Sequence, residues 1–347
     1  MSDSDLRPIR RWLTACIIAV ILAVLVGGIT RLTESGLSIT EWRPVSGVLP
    51  PLSAEAWDAA FAAFQQIPQA STTHAGMTLG EFKWIFWWEW FHRILARGVG
   101  LVFAVPFVVL LARGAIPAQL RWRTAALPIL TGAQGVLGWY MVQSGLSERI
   151  TVSAYRLTAH LALALVILVI AVWTYADVRS ERPWLWTPSP RPAPIAPRWR
   201  MLMLVLAAAL ATTILSGGAV AGLRAGTIFN TFPLMGGELI PSSYAMVPGW
   251  WANAFENPVA AQFHHRMLAI LTGLAALVIA WRAHRAALAP PIARAIVLVG
   301  GVVLIQVTLG VLTLLFAVPI TLGVLHQLVG VLALSATVLA VHRATYG

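Results

Sequence analysis

Long apolar runs separated by short polar segments dominate the chain, and eight of them, at roughly 12–32, 84–112, 124–144, 153–176, 200–221, 259–281, 291–317 and 321–342, are long enough to cross a bilayer. A hydrocarbon core of about 30 Å takes about 20 helical residues. Barrel strands would instead show short alternating segments. In lipid the backbone must bond to itself, so runs of this length predict helices. The pattern predicts an all-α integral membrane protein with eight transmembrane helices. Composition agrees: the chain is 59% hydrophobic and 11% charged, too few charges to wet the surface of a soluble protein of 347 residues.

A net charge of +11 raises the question of nucleic acid, but the basic residues are spread over short loops and form no stripe. The expected partner is a lipid bilayer, and no nucleic acid. Arg7, Arg10 and Arg11 precede the first run, Arg113, Arg121 and Arg123 follow the second, and Arg179, Arg182, Arg191, Arg198 and Arg200 follow the fourth. Arg282, Arg285 and Arg294 follow the sixth. The positive-inside bias puts these segments and both termini in the cytoplasm. The N-terminus carries Asp3 and Asp5 and runs almost at once into the first span, which reads as retained. Residues 33–83 and 222–258, on the opposite side, exceed the usual loop length and are expected to be ordered caps over a site. Cys16 is the single cysteine, so neither an internal disulfide nor a thiolate cluster is expected.

The chain repeats itself. His92-Arg-Ile-Leu-Ala followed by Gly100-Leu101 aligns with His265-Arg-Met-Leu-Ala followed by Gly273-Leu274. Gln134-x-x-x-Gly138 aligns with Gln306-x-x-x-Gly310, and His160 with His326. Two repeated four-helix bundles are expected, residues 1–180 and 200–347, joined by a cytoplasmic linker at 181–199 that holds six prolines from Pro183 to Pro197.

His92, His160, His265 and His326 each lie near the outer end of an even-numbered span. Intramembrane ionisable residues are costly and mark function. Imidazoles from two helices can hold a haem iron axially while the porphyrin fills the bundle, so one pair per half predicts two haem sites. Histidines that only pack and hydrogen-bond between helices are the competing reading. His264 points about 100° away from its neighbour, and the repeat selects His265. His284 and His342, beside arginines at the cytoplasmic helix ends, suit a lipid headgroup role, and His74 falls in the outer loop. Glu89 shares a face with His92 and suits proton delivery, stabilisation of a developing cation or the holding of a water, unless it merely pairs with Arg93 or Arg97. Its counterpart is Gln262, so one site is expected to do chemistry and the other to carry electrons. Arg156, Arg93 and Arg266 are candidates for haem propionates, with snorkelling to headgroups as the alternative. The tryptophans at 84, 87, 88 and 90 suit an interfacial belt.

These residues carry a resemblance to the haem A synthase family. It rests on Gly27-Gly-Ile-Thr-Arg-Leu-Thr-x-Ser-Gly-Leu-Ser-Ile, Glu89-Trp-Phe-His92-Arg, Val152-Ser-x-Tyr-Arg-Leu-x-x-His160-Leu, Gln262-Phe-x-His265-Arg and Leu325-His326-Gln, and covers nearly the whole chain. The resemblance implies a haem b held by His265 and His326, and haem O as the substrate of the N-terminal half near His92 and His160. Glu89 matches the family's acidic residue needed for turnover. It further implies oxidation of a ring methyl to a formyl group, to give haem A for cytochrome oxidase. The electron donor is unassigned, and a haem O synthase is a candidate partner. Some bacterial members carry a cysteine pair in the first outer loop; this chain has none there and resembles the cysteine-free branch. The rival function is a two-haem b-type membrane cytochrome that transfers electrons from quinol.

Overall fold

Each predicted span is a helix, and half of them begin at a capping side chain or a proline in the first turn. The structure, a computed structural model, describes residues 3–43, 46–146, 149–180 and 195–347. In chain order the helices are α1 (Asp3–Leu32), α2 (Ala54–Gln65), α3 (Pro68–Thr72), α4 (Leu79–Ala112), α5 (Arg121–Gln143), α6 (Ala154–Arg179), α7 (Pro197–Gly222), α8 (Trp250–Glu256), α9 (Pro258–Arg285), α10 (Pro290–Leu315) and α11 (Ile320–Tyr346). Eight helices among the described residues, all but α2, α3 and α8, are long and apolar enough to cross a membrane, and those residues form no strand. Most of the proline-rich stretch expected as a linker lies outside the described residues.

α4 starts five residues before the apolar run because Thr78 and Glu81 form a reciprocal cap, the hydroxyl accepting from the Glu81 amide and the carboxylate accepting from the Thr78 amide at 2.8 Å. α9 starts at Asn257, whose side chain accepts from the Val259 amide, with Pro258 in the first turn. α1 and α7 both run out into a residue with left-handed backbone, Glu34 (φ 55°) and Arg224 (φ 54°). Side chains disfavour that region, and here the two strained residues are tied together by a 2.6 Å ion pair. Arg31 adds a bond to the Ala221 carbonyl, so the ends of α1 and α7 are fastened to each other.

α1 packs on α4 and α6, with α5 against α4 and α6; α7 packs on α9 and α11, with α10 between those two. Contacts of α6 with α7 and of α11 with α1 and α6 join the two groups. The sealed apolar core, including Leu6, Leu13, Phe103, Leu127, Leu168, Met203, Ile296 and Leu334, occupies the half of the helices nearer the termini. Toward the opposite face it gives way to the four histidines. There residues 46–78 fold into a cap with its own small core, in which Leu37, Phe64 and Ile67 pack against Phe82 and Phe86 of α4 and Trp57 meets Phe86 edge to face. Trp87 and Trp90 belong to this cap as much as to a lipid belt, since Trp87 lies against Trp57 and Trp90 donates to the Val48 carbonyl.

His342 is not a headgroup residue. It is 2% exposed and bonds Asp177 at 2.9 Å, and Asp177, wholly buried, also pairs with Arg123 at 2.7 Å. This triad links α5, α6 and α11 near the termini. Removing one partner of a buried ion pair strands the others, so Asp177→Ala is expected to cost about 3 kcal/mol. The measurement is the thermal midpoint in detergent, and an unchanged midpoint would show the triad to be incidental.

Candidate functional site

All four intramembrane histidines have the same local setting. Each ring lies against a glycine of a neighbouring helix: His92 against Gly27 of α1, His160 against Gly138 of α5, His265 against Gly217 of α7 and His326 against Gly310 of α10. A β-carbon on those glycines would lie 3.2, 3.0, 3.0 and 2.7 Å from the nearest ring atom. The glycines therefore make the room in which each imidazole stands, and none of the four rings is sealed in the core.

His265 and His326 face each other with ring centres 6.5 Å apart and planes at 86°. The Nδ1 of His265 is 3.1 Å from the Thr213 carbonyl and 2.9 Å from the Ser216 hydroxyl; that of His326 is 3.2 Å from the Gln306 carbonyl. A carbonyl only accepts, so both rings carry their proton on Nδ1 and keep the Nε2 lone pair. On His326 that lone pair meets only a long 3.4 Å contact from the Gln306 amide. This is the preparation expected of a metal-ligating imidazole, whose other nitrogen is fixed by a backbone acceptor. Two metal–nitrogen bonds of about 2 Å, with about 1 Å from each nitrogen to its ring centre, come close to the observed separation. Among the described residues no group of three or more metal-ligating side chains exists. The pair therefore suits a metal that brings its own equatorial ligands, which is what haem does.

His92 and His160 lie close enough to interact electrostatically, but their Nδ1 atoms have no protein partner among the described residues, and neither has Oε1 of Gln134 beside them. The amide of Gln134 instead donates to the His160 carbonyl at 2.9 Å. The two pairs thus differ: one is oriented by its surroundings and the other is left adaptable.

Glu89 stands one turn above His92, 2% exposed. Its Oε2 accepts from the Ser38 hydroxyl at 2.8 Å and the Ile39 amide at 2.6 Å, and its Oε1 takes Arg93 at 2.6 Å. Arg93 continues to the carbonyls of Ile39 and Glu41, and Arg97 to that of Arg43. Glu89 and Arg93 therefore clamp the segment after α1 onto α4 over the His92 pocket. Ser38 and Ile39 entered the sequence reading only as part of a motif, because nothing local shows that they meet residue 89.

In the other half Gln262 donates to the Phe229 carbonyl, and the buried Arg266 to the carbonyls of Thr231, Pro233 and Leu234. Arg93 thus divides its donors between Glu89 and loop backbone, and the hydrogen bonds of Arg266 go to loop backbone. Arg156, one turn outside His160, is partly exposed, donates to the Tyr140 carbonyl and lies 3.6 Å over the Tyr140 ring. His264 turns away to meet the Tyr244 hydroxyl at 2.9 Å, so His265 is the member of the doublet that enters the pair. Gln327, next to His326, reaches α1, donating to the Val24 carbonyl, and its amide would collide with any side chain at Gly28. The Gly-Gly doublets at 27–28 and 217–218 were an available repeat signal, easily passed over because glycine is common in membrane helices.

Eight apolar spans with two histidine pairs near one end of the bundle define an integral membrane protein of the haem-handling class. The sequence profile of the family described as cytochrome oxidase assembly protein matches residues 10–338, and the chain belongs to that family. The relatives it resembles over nearly their whole length are named as haem A synthases. That of Caulobacter sp. (strain K31) is 47% identical over 92% of this chain and 91% of its own. That of Rhodopseudomonas palustris (strain BisB5) is 45% identical over 98% and 91%, and that of Brucella ovis 43% over 100% and 94%.

Proposed function

We propose that this protein converts haem O to haem A, oxidising a ring methyl to a formyl group at the N-terminal histidine pair, with a resident haem b in the C-terminal half. The observation that carries the division of labour is the unequal treatment of the two pairs. Fixed Nδ1–H tautomers at His265 and His326 suit a cofactor that stays. Uncommitted imidazoles at His92 and His160 suit a substrate that must arrive, react and leave. The repeat, with His92, Gln134, Gly138 and His160 matched by His265, Gln306, Gly310 and His326, supports two related four-helix bundles, residues 1–180 and 200–347.

When bound, haem b supplies one-electron transfer, between an external donor and the substrate site. The protein's own groups do the rest. His92 and His160 bind and orient the substrate iron, and the glycines behind them set how far each ring can retreat. Glu89, with Arg93, holds residues 38–41 over the pocket and so positions the cap that excludes water from the reacting methyl. Arg156 is the arginine best placed for a propionate, because it lies at the wet end of α6 and fewer of its donors serve the backbone. The arginine bias supports cytoplasmic termini, with the histidine end toward the periplasm of a bacterial inner membrane. An enzyme that installs the isoprenoid tail, a haem O synthase, must supply the substrate.

The test is to supply haem O and reductant to purified wild type, His92→Ala and His160→Ala, extract the haems with acid-acetone and identify them by mass. Haem A from wild type and none from either variant, with the resident haem kept, is expected. Unmodified haem from wild type under every electron supply would return the protein to the electron-transfer reading.

A further inference from the structure

The two halves differ at one more place, in the seam between the second and third helices of each. In the C-terminal half this seam is shut. A β-carbon at Gly273 of α9 would lie 3.0 Å from the Val307 side chain of α10. The positions matched by the repeat are Gly100 of α4 and Gly135 of α5. Neither has any heavy atom within 4 Å of where its β-carbon would be. Where one half sets glycine against valine, the other has glycine at both matched positions, each with open space where a side chain would stand, and this open space is the gap.

The gap is level with the histidines. Val307 follows Gln306, which touches His326, and lies one turn before Gly310, which backs that ring. Gly135 follows Gln134, which bonds the His160 carbonyl, and lies one turn before Gly138, which backs His160. The buried Oε1 of Gln134 and Nδ1 of His160, both without a protein partner, stand beside it. The packing of the two third helices follows the same asymmetry. α5 buries only Thr124 and Leu127, near its terminal end, whereas α10 is buried from Ile292 through Val303 and again at Thr313. The outer rim of the gap is apolar, with Leu101 and Val136 both more than 60% exposed.

We infer that the Gly100–Gly135 gap is a window through which the isoprenoid tail of the substrate haem passes from the N-terminal site into the lipid, and that Val307 closes the same window in the other half. This rests on the proposed function and deepens it by naming what selects the substrate. A tail held inside the bundle would need a cavity in an interior packed as densely as a crystal, whereas lipid is as apolar as the helix surface and receives it at little cost. A haem without a tail needs no window. The closed half therefore keeps haem b, and the open half admits the prenylated haem.

Gly135→Val transplants the plug. The site has open space for a side chain, and valine is a better helix former than glycine. Turnover of haem O and binding of haem O and of tail-less haem B at the His92–His160 pair are measured on the full-length holoprotein, with Gly100→Val as the same block from the opposite wall. The expected result is a loss of at least about tenfold in kcat/KM for haem O and in its affinity, with haem B binding and resident haem content unchanged. Wild-type haem O turnover in both variants would overturn the window. Equal loss of haem O and haem B would overturn it too, because the valine would then act by distorting the site. His92→Ala keeps the two levels apart. If it abolishes turnover while Gly135→Val does not, the window fails and the assignment of the N-terminal half stands; if it leaves turnover intact, that assignment fails.

Discussion

Glu89→Ala is expected to reduce haem A formation by at least about 100-fold while the resident haem stays in place. The carboxylate is the meeting point of three groups, the Ser38 hydroxyl, the Ile39 amide and the Arg93 guanidinium. Its removal leaves a largely buried arginine without its counter-charge, a change that typically costs about 3–5 kcal/mol. The loss falls on the cap, because the clamp joins residues 38–41 to α4 and touches nothing in the C-terminal half. Proteolysis within residues 33–53 should therefore accelerate in the variant. Glu89→Gln should not rescue activity: its amide can serve Ser38 and Ile39 or Arg93, but a carboxamide has one acceptor oxygen and Glu89 uses two. Haem A yield per resident haem is the readout, and a wild-type yield from Glu89→Ala would remove Glu89 from the mechanism.

The second large effect is expected at His265. His265→Ala should lose the tightly held haem, about one equivalent per chain, together with the spectrum of an iron held by two imidazoles. It should also stop turnover for want of an electron relay. Haem O should still bind at His92 and His160, because the rings that meet at 6.5 Å are His265 and His326 and the N-terminal pair is built on α4 and α6 alone. Haem extraction, with a haem O titration of the variant, reads both effects. Loss of both sites together would show that the ligands do not pair within each half.

His264 and His265 show how sequence and structure share the work. Adjacent residues on a helix cannot face one pocket, and the repeat picked His265; the structure adds that His264 has a partner of its own in Tyr244. At His342 the same kind of reading failed. A histidine beside an arginine at a helix end looks like a headgroup residue, and only folding reveals Asp177, 165 residues away, against which it is buried. The arginines at 93 and 266 are a related case. Their place beside a histidine suggested propionates, and folding adds the loop carbonyls that they also hold, whose positions are set by packing.

The sequence by itself determined the eight spans, their boundaries to within five residues except at the start of α1, the four histidines and the matched positions of the two halves. Each of these depends on local run length, capping chemistry or a repeat, which survive without knowledge of what touches what. Only the tertiary structure decided that each histidine leans on a glycine, that Glu89 is a clamp on residues 38 and 39, that one pair has its tautomers fixed and the other does not, and that Gly100 and Gly135 have open space beside them where Gly273 meets Val307. The reason is physical. A helix forms from its own neighbours, but the space beside an imidazole is made by another helix, and its size depends on how closely the two approach.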